Sequence, residues 1–406
     1  MPGQGNRVDF RYIRETTWGT TPGSPNGQVL RVTTGKLDPV KESVQSQLLR
    51  SDRKVEAIVE VGQGAAFNVG SELLYEPNFF DLIEGAMLRA KQQIAAVTLN
   101  ATAATGSPNT FTRSAGSFVT DGAKPGMWVA ILDTVNDGFW QIADGAGAVT
   151  ALVLQIKSPG ISFLGASKNW ANHTGTGSEK YSARMFRDGT DETKNQFSVE
   201  QAHLDITQFL SGTGLRVGTL GFSLTAKQIG QMTFAFQGKE MTPAGATIFS
   251  GGTTAAGLAP SLSASSNVAR IFKNGAAIAT GVRSLALNIN NNLRALDQIA
   301  SKFPAGINHG SVAPGGSIEA YFTSRADFLD VLKAHTLIAI QFAGVDGTGN
   351  LVAVTLPSVN LMDGAPDGIQ INSDVLERYN FAAIVNATVE PADPHTIQID
   401  LIAKLT

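Results

Sequence analysis

The chain carries a strand–helix unit twice, at positions 249 residues apart. The run Phe79-Phe80-Asp81-Leu82-Ile83 aligns without a gap with Phe328-Leu329-Asp330-Val331-Leu332. Each run follows a strand-like stretch that opens on Gly-Ser, at Gly70-Ser71 in the first copy and Gly316-Ser317 in the second. Self-similarity over such a distance predicts a duplicated domain, and duplication changes how many chains would close a symmetric ring.

Composition limits the classes of protein to consider. A chain of 406 residues is long enough for two or three domains. The net charge of −3, with 31 basic residues scattered among 34 acidic ones, argues against nucleic-acid binding as a main task. The absence of cysteine excludes disulfides and thiolate metal sites. Because the chain has neither a signal-peptide pattern nor an apolar run of about 18 residues, we expect no membrane contact and synthesis in a cytoplasm.

A long hairpin is predicted early in the chain. Val40, Val44 and Leu48 recur at even spacing, which is typical of a half-exposed strand. A turn at Ser51-Asp52 and a second strand over 55–61 complete the hairpin, and its tip is densely charged. The hairpin is either a solvated edge ribbon or an arm that pairs with a neighbouring subunit, since exposed strand edges tend to find partners.

Two helices follow from apolar spacing. In the first copy, the apolar residues recur at helical spacing and form one stripe: Phe79, Leu82, Ile83, Ala86 and Met87. In the second copy, the equivalent stripe consists of Phe328, Val331 and Leu332. We expect each helix to pack this stripe against a sheet, because a Phe-rich stripe is far more often core than cofactor pocket. Further on, Asn274-Gly275 predicts a type I′ hairpin turn.

The pattern divides the chain into four parts. Residues 1–92 together with 181–245 form a first, discontinuous module, and residues 267–406 form a second module. Residues 93–180 read as an inserted, β-rich decoration domain. Residues 246–266 are rich in Gly, Ala, Ser and Thr, and this composition predicts a linker that cannot build a core of its own.

The predicted insertion has a self-contained pattern of four or five short strands that could close a small barrel. We expect it to project outward and to decorate the assembly. Its tryptophans Trp128, Trp140 and Trp170 would stack on sugars if they were exposed, or would fill the barrel interior if they were buried.

No motif predicts catalysis, a cofactor or a metal. The five histidines are far apart and show neither HxH nor HExxH spacing. The stretch Asp133 to Asp144 resembles a calcium loop, but Val135 stands where an oxygen ligand is needed and strands rather than helices flank it. A plain hairpin turn is therefore the better interpretation. We expect neither enzymatic activity nor a cofactor.

Several short motifs resemble the tail tube (major tail) proteins of long, non-contractile-tailed bacteriophages, the siphophage type. The first is Arg14-Glu15-Thr16-Thr17-Trp18-Gly19-Thr20-Thr21-Pro22, and the second is Ser51-Asp52-Arg53. The others are Phe197-Ser198-Val199-Glu200-Gln201, Gly214-Leu215-Arg216-Val217-Gly218 and Pro357-Ser358-Val359-Asn360-Leu361. The resemblance covers most of the chain apart from the predicted insertion.

The resemblance implies a mainly β fold with two tandem tail-tube-type β-sandwich modules, each with a flanking α-helix, plus an inserted small β-barrel-like domain. It implies a structural virion protein, made in the bacterial host cytoplasm, whose rings of six modules stack into a hollow tube in the virion tail. That tube would enclose the tape-measure protein and later conduct DNA to the host. The DNA would pass transiently and without specific binding. Tail terminator and baseplate or distal tail proteins are the implied partners at the tube ends.

Since each chain carries two modules, the duplication favours a homotrimer over a homohexamer in each ring. The candidate inter-ring or inter-subunit arm is the charged hairpin tip: Leu48, Leu49, Arg50, Ser51, Asp52, Arg53 and Lys54. Two alternatives stay open at this point. One is another structural virion protein, such as a capsid decoration or baseplate component, and the other is a carbohydrate-binding, adhesin-like β protein.

Overall fold

The structure is a computed structural model that describes residues 3–100, 102–106, 109–175, 177–278, 281–368, 371–386, 389–390 and 392–406. Strands dominate it and helices are few and short, which confirms the predicted mainly β class. Most of the strands belong to one extended network of antiparallel pairs.

The chain begins with four strands and a helix. The strands are β1 Val8–Arg14, β2 Gly27–Leu30, β3 Thr34–Gln45 and β4 Ile58–Glu72. A 3₁₀ turn, Pro77–Phe79, leads into helix α1, Phe80–Met87. The helix buries Leu82, Ile83, Ala86 and Met87 against the sheet, as the apolar stripe predicted, and it ends at Leu88 in the left-handed conformation.

The next section of the chain includes the predicted insertion. Its elements are β5 Gln92–Thr98, β6 Thr102–Gly106, β7 Asn109–Arg113, α2 Phe118–Asp121, β8 Trp128–Leu132, β9 Gly138–Ile142, β10 Val153–Ile161, β11 Ser167–Lys168 and β12 His173–Thr174. The chain then forms β13 Lys180–Arg187, β14 Phe197–His203, β15 Gln208–Thr225, β16 Gln231–Gly238, β17 Glu240–Ala244 and β18 Thr253–Thr254.

The remaining elements complete the chain. They are β19 Val268–Lys273, β20 Ala276–Ala277, β21 Val282–Asn290, β22 Arg294–Ala295, β23 Ile307–Asn308, β24 Ala313–Tyr321, α3 Leu329–Ala334, β25 Ile338–Val345, β26 Leu351–Pro366, β27 Leu376–Ala383 and β28 Gln398–Ile402. Asn274 and Gly275 both have positive φ, 52° and 76°, in the turn between β19 and β20. These values are those of the type I′ turn that the sequence predicted.

The strand pairing has the same pattern twice. The first repeat, as we define it, pairs in the order β2-β1-β14-β15-β16-β4-β3, with β17 also on β15. The second repeat pairs in the order β20-β19-β25-β26-β27-β24-β21, with β28 also on β26. In chain order a helix lies at the equivalent place in each repeat, α1 between β4 and β14 and α3 between β24 and β25. This agreement supports the two predicted modules, whose boundaries stay a prediction.

Even the irregularities of the ladders repeat. Val217 pairs with Phe236 immediately before a register shift in β15. Leu361 pairs with Phe381 immediately before a register shift in β26. A β-bulge re-aims the strand that carries it, so a bulge at the same place in both repeats gives the two sheets the same local bend.

The two repeats join edge to edge. β15 pairs with β21 from Thr219 opposite Asn290 to Thr225 opposite Ser284. One hydrophobic core runs through both repeats, and it includes Phe67 and Phe234 from the first and Ile318 from the second. The consequence is one continuous sheet, β3-β4-β16-β15-β21-β24-β27-β26, shared by both halves of the chain.

The predicted insertion packs on the second repeat as well as on itself. Its strands pair in the order β5-β13-β8-β9-β10-β7-β6-β12, in which β13 leads from the insertion back into the first module, and Trp140 and Trp170 lie in its own core. Trp128 belongs to a second cluster that joins the insertion to Ala343 and Leu351 of the second repeat. All three tryptophans are buried, so none of them offers a face on which a sugar could stack.

The predicted linker lies along the first repeat and does not hang free. β18 pairs with β2 in parallel, and the Arg31 guanidinium donates to the Ala259 carbonyl at 2.6 Å. Leu262 is buried in the common core. The segment has too few apolar residues for a core of its own, but its backbone groups find partners on the first repeat.

Candidate assembly surfaces

The continuous sheet has one face in the core and one in solvent. Side chains alternate between the two faces, as antiparallel strands with one solvated face require. The solvent face carries exposed, uncharged polar side chains from both repeats: Asn68, Ser223, Thr233, Asn288 and Asn380. Lys36 contacts Asp38 at 2.8 Å on this face and Arg378 contacts Glu319, whereas the Asp363 carboxylate accepts from the Asn380 amide at 2.6 Å.

The first edge of this sheet is β3. Among the described residues its ladder partner is β4 alone. The Leu37 N–H points away from β4 and donates to the Gln201 side-chain oxygen at 3.0 Å. Pro39 lies two residues further along, so its ring nitrogen also faces the free edge. A proline at such a position removes no bond from the ladder with β4.

The second edge is the distal half of β26, residues 360–366. In the described part of the chain this half pairs with β27 alone. The Asp367 N–H donates to the Leu376 carbonyl at 2.6 Å, so Asp367 and alternate residues before it face β27. Gly364 and Pro366 therefore face the free side. Each end of the shared sheet thus presents an unpaired edge that carries one proline.

The predicted arm is the tip of the β3–β4 hairpin, and we call residues 46–57 the first arm. The Ser46 N–H donates to the Ala57 carbonyl at 2.8 Å and closes its base. Leu48, Leu49, Arg50, Ser51, Asp52, Arg53 and Lys54 are all exposed, and Leu49 is fully so. Arg50 donates two hydrogen bonds to the Asp52 carboxylate, at 3.0 and 3.1 Å, and these bonds lower the Asp52 pKa.

Apolar side chains extend this exposure down the hairpin. Val44, Ile58, Val59 and Val61 are each about half exposed or more, although they lie in strands. A contiguous group of exposed apolar side chains commonly marks a contact surface. The structure therefore fits the interpretation of this hairpin as an arm that is covered by another subunit, and its role stays a prediction.

The equivalent connection in the second repeat behaves differently. This second arm, residues 291–312, folds back on the first repeat. Lys302 contacts the Glu60 carboxylate at 2.9 Å, and the Lys302 carbonyl accepts the Gln63 N–H at 2.7 Å. The Arg216 guanidinium donates to the Ile307 carbonyl at 2.6 Å. Sequence reasoning missed these contacts, because nothing local in either segment indicates its partner.

A buried arginine holds the insertion to the second repeat. Arg187, in β13, is almost fully buried. Its guanidinium donates to the Pro125 carbonyl at 2.6 Å and to the Gln398 side-chain oxygen at 3.0 Å. It also contacts the carboxylates of Glu390 and Asp393. One side chain therefore links the insertion with the C-terminal strand of the second repeat.

Two carboxyl groups near Arg187 have shifted pKa values of opposite sign. Burial raises the pKa of Asp393, but hydrogen bonds from Arg89 and Lys124 outweigh it and hold that pKa well below its usual range. Asp400 is fully buried, and this burial raises its pKa to about 7. The Asp400 carboxyl accepts the backbone N–H of Trp128 at 3.3 Å. Asp393 is half-buried, whereas Asp400 has no solvent exposure.

The His, Asp and Glu side chains of the described residues do not converge on a metal site. Within the described ranges, no group of three or more His, Cys, Asp or Glu side chains could hold a metal ion. The Asp133 carboxylate accepts the N–H groups of Val135 and Asn136, at 3.0 and 3.2 Å, which is the geometry of a local turn. Asp144 pairs with Lys157 at 2.8 Å. In the part of the chain that the structure describes, no helix is long and apolar enough to cross a membrane.

Comparison with known proteins identifies one family. A family model described as phage tail tube protein matches residues 5–383. This match includes the first repeat, the first arm, the predicted insertion and the second repeat as far as β27. A search of curated proteins returned no match.

Proposed function

Because the chain belongs to the phage tail tube protein family, which confirms the predicted resemblance, we propose that three copies close a ring and that rings stack into the tube. The chain is a structural subunit of a phage tail. In the proposed role, its tube encloses the tape-measure protein and later conducts DNA towards the host. Tail terminator and baseplate or distal tail proteins would cap the two ends.

The observation that carries the proposal is the repeat of the sheet with free edges at its two ends. β15 and β21 join the repeats inside the chain. Their equivalents at the sheet ends, β3 and the distal half of β26 (residues 360–366), each pair with one strand alone among the described residues. A head-to-tail contact that reuses one geometry closes a ring when the rotation allows it. With two modules in each chain, three copies supply six.

The solvent face of the shared sheet suits the wall of a conduit. Phosphate binding requires clustered Lys and Arg side chains, because the release of counterions drives it. Here Lys36 is paired with Asp38, and Arg378 and Arg283 both contact Glu319. Such a face would let DNA pass without holding it. The first arm, residues 46–57, would then make the contact between rings.

No observation favours the alternatives strongly enough to replace this proposal. The adhesin interpretation drew on exposed tryptophans, and Trp128, Trp140 and Trp170 are buried. A capsid decoration or baseplate component would not need two free edges that match the two sides of the internal β15–β21 junction. We propose no enzymatic role, since the chain belongs to a family of structural tail proteins.

Electron microscopy of the purified chain at high concentration, with native mass measurement, tests the proposal. We expect stacked rings or tubes and a mass of three chains for each ring. A ring of six chains would contradict the proposed stoichiometry. A chain that stays monomeric at every concentration, and also in the presence of preformed tail tips as initiators, would contradict the tube itself.

A further inference from the structure

We propose a register for the contact between copies: distal β26 of one copy pairs antiparallel with β3 of the next, with Asp363 opposite Val40, Ala365 opposite Asp38 and Asp367 opposite Lys36. The proposal rests on the ring proposed above and deepens it, since it names the partner residues. It follows from treating the internal β15–β21 junction as the template for the external one.

β15 of the first repeat is equivalent to β26 of the second repeat. Thr219 is the first paired residue after the register shift in β15, and Asp363 is the first paired residue after the shift in β26. The preceding pairs, Val217 with Phe236 and Leu361 with Phe381, confirm that the two strands align at this point. Thr219 and Asp363 are therefore equivalent.

β21 of the second repeat is equivalent to β3 of the first repeat. Counting from the same shifts, Phe234 in β16 is equivalent to Tyr379 in β27. Phe234 pairs with Val69, which pairs with Gly35 in β3. Tyr379 pairs with Ile318, which pairs with Leu285 in β21. Gly35 is thus equivalent to Leu285, and by the same count Val40 is equivalent to Asn290.

The pairing of β15 with β21 inside the chain sets the pairing expected between distal β26 and β3 of the next copy. Inside the chain Thr219 lies opposite Asn290. Their equivalents are Asp363 and Val40, so these two residues meet across the external junction. Two positions further on each side, the register brings Ala365 opposite Asp38.

Charge supports this register. At its end the carboxylate of Asp367 lies opposite the exposed ammonium group of Lys36. Oppositely charged residues directly across an antiparallel pair stabilise it, whereas like charges destabilise it. Arg378 pairs with Ala365 in the same sheet. Its guanidinium group would therefore lie near Asp38 of the next copy.

The two edge prolines also favour this register. Pro39 would face Gly364, and the Gly364 N–H can donate to the Pro39 carbonyl. Pro366 would face Leu37, and the Leu37 N–H can exchange its present acceptor, the Gln201 side chain, for the Pro366 carbonyl. A shift by two residues would bring Pro39 opposite Pro366, and that pair has no donor at all. The equivalent internal pairs, Leu220 with Ile289 and Phe222 with Leu287, contain no proline. The external junction therefore has fewer hydrogen bonds than the internal one.

Cysteine cross-linking tests the register, and the chain has no cysteine of its own. The matched variant is Asp38→Cys with Ala365→Cys, and the control shifted by two residues is Val40→Cys with Ala365→Cys. Directly opposed side chains meet the distance limits of a disulfide, whereas diagonal neighbours about 7–8 Å apart do not. Ser223→Cys with Ala286→Cys, which are opposed inside the chain, is the control for oxidation.

After assembly and oxidation, we expect the matched variant to run as three linked chains on a denaturing, non-reducing gel. The shifted variant should stay mostly as single chains. Efficient linkage of the shifted variant, or rings without linkage in the matched one, would overturn the register and leave the tube proposal intact. Six linked chains would overturn the threefold closure. Loss of rings in the wild type under the same conditions would count against the tube proposal itself.

Discussion

Phe79 lies parallel to Phe234, with ring centroids 5.9 Å apart and an interplanar angle of 1°. Phe328 and Tyr379 make the equivalent contact in the second repeat, at 5.5 Å and 31°. In both repeats the first residue precedes or caps the helix, and the second lies at the same position of the sheet. One ring pair thus anchors each helix to its sheet.

We predict similar losses from Phe79→Ala and Phe328→Ala. Both rings are buried, and removal of a buried phenylalanine ring costs about 3–5 kcal/mol. Urea unfolding monitored by tryptophan fluorescence measures the change. Phe322→Ala is the control, because that ring is partly exposed. Equal stability of the wild type and both core variants would contradict the proposed anchoring.

Replacement of Arg187 by methionine should destabilise the chain by about 3–5 kcal/mol. The change leaves the Glu390 and Asp393 carboxylates without one of their cations in a buried site. Thermal unfolding of the variant and of Arg7→Met, an exposed control, gives the comparison. If the two variants unfold at the same temperature, the buried link does not hold the insertion in place.

Asp400 should make stability fall as pH rises. Its folded pKa of about 7 lies above the value near 3.9 expected for an unfolded chain. Between these values the unfolded chain loses the proton while the folded chain keeps it, so stability decreases from about pH 4 to about pH 7 and then levels. The full decrease is about 4 kcal/mol. Asp400→Asn should flatten this slope, and identical slopes in thermal melts at pH 5 and pH 8 would refute the assignment.

The first arm should control stacking and not ring closure. The change is Leu48→Ser with Leu49→Ser, which makes the exposed apolar tip polar while the edges of β3 and β26 stay intact. We expect rings of normal mass that no longer form tubes in electron micrographs. Leu164→Ser is the matched control, since Leu164 is also exposed but lies in the predicted insertion. Normal tubes from the arm variant would exclude this role.

Removal of residues 97–176 should leave ring closure possible, since neither free edge lies in that segment. It should nevertheless lower the unfolding temperature. The deletion uncovers apolar residues of the second repeat, among them Ala343 and Leu351, which now pack against the insertion. Native mass and thermal unfolding of the deletion variant test both statements. A folded variant that never forms rings would show that the insertion takes part in assembly.

The sequence predicted the features that depend on neighbouring residues. The apolar stripe of α1 and the Asn274-Gly275 turn follow from spacing and backbone preference over a few positions. The repeat was visible because the runs at Phe79 and at Phe328 kept their order through the duplication. The family resemblance, which the family match confirms, came from motifs that also consist of a few consecutive residues.

The tertiary structure decided what depends on distant partners. Lys302 and Glu60 are 242 positions apart, and nothing near either residue predicts that the second arm folds back while the first stays free. The linker, rich in small residues, gave no sign that its backbone would pair with β2. The sequence also did not indicate which strands form the two edges of the shared sheet. Local spacing determines whether a strand forms, whereas its neighbour depends on the packing of the whole chain, and that packing left β3 and distal β26 as the free edges.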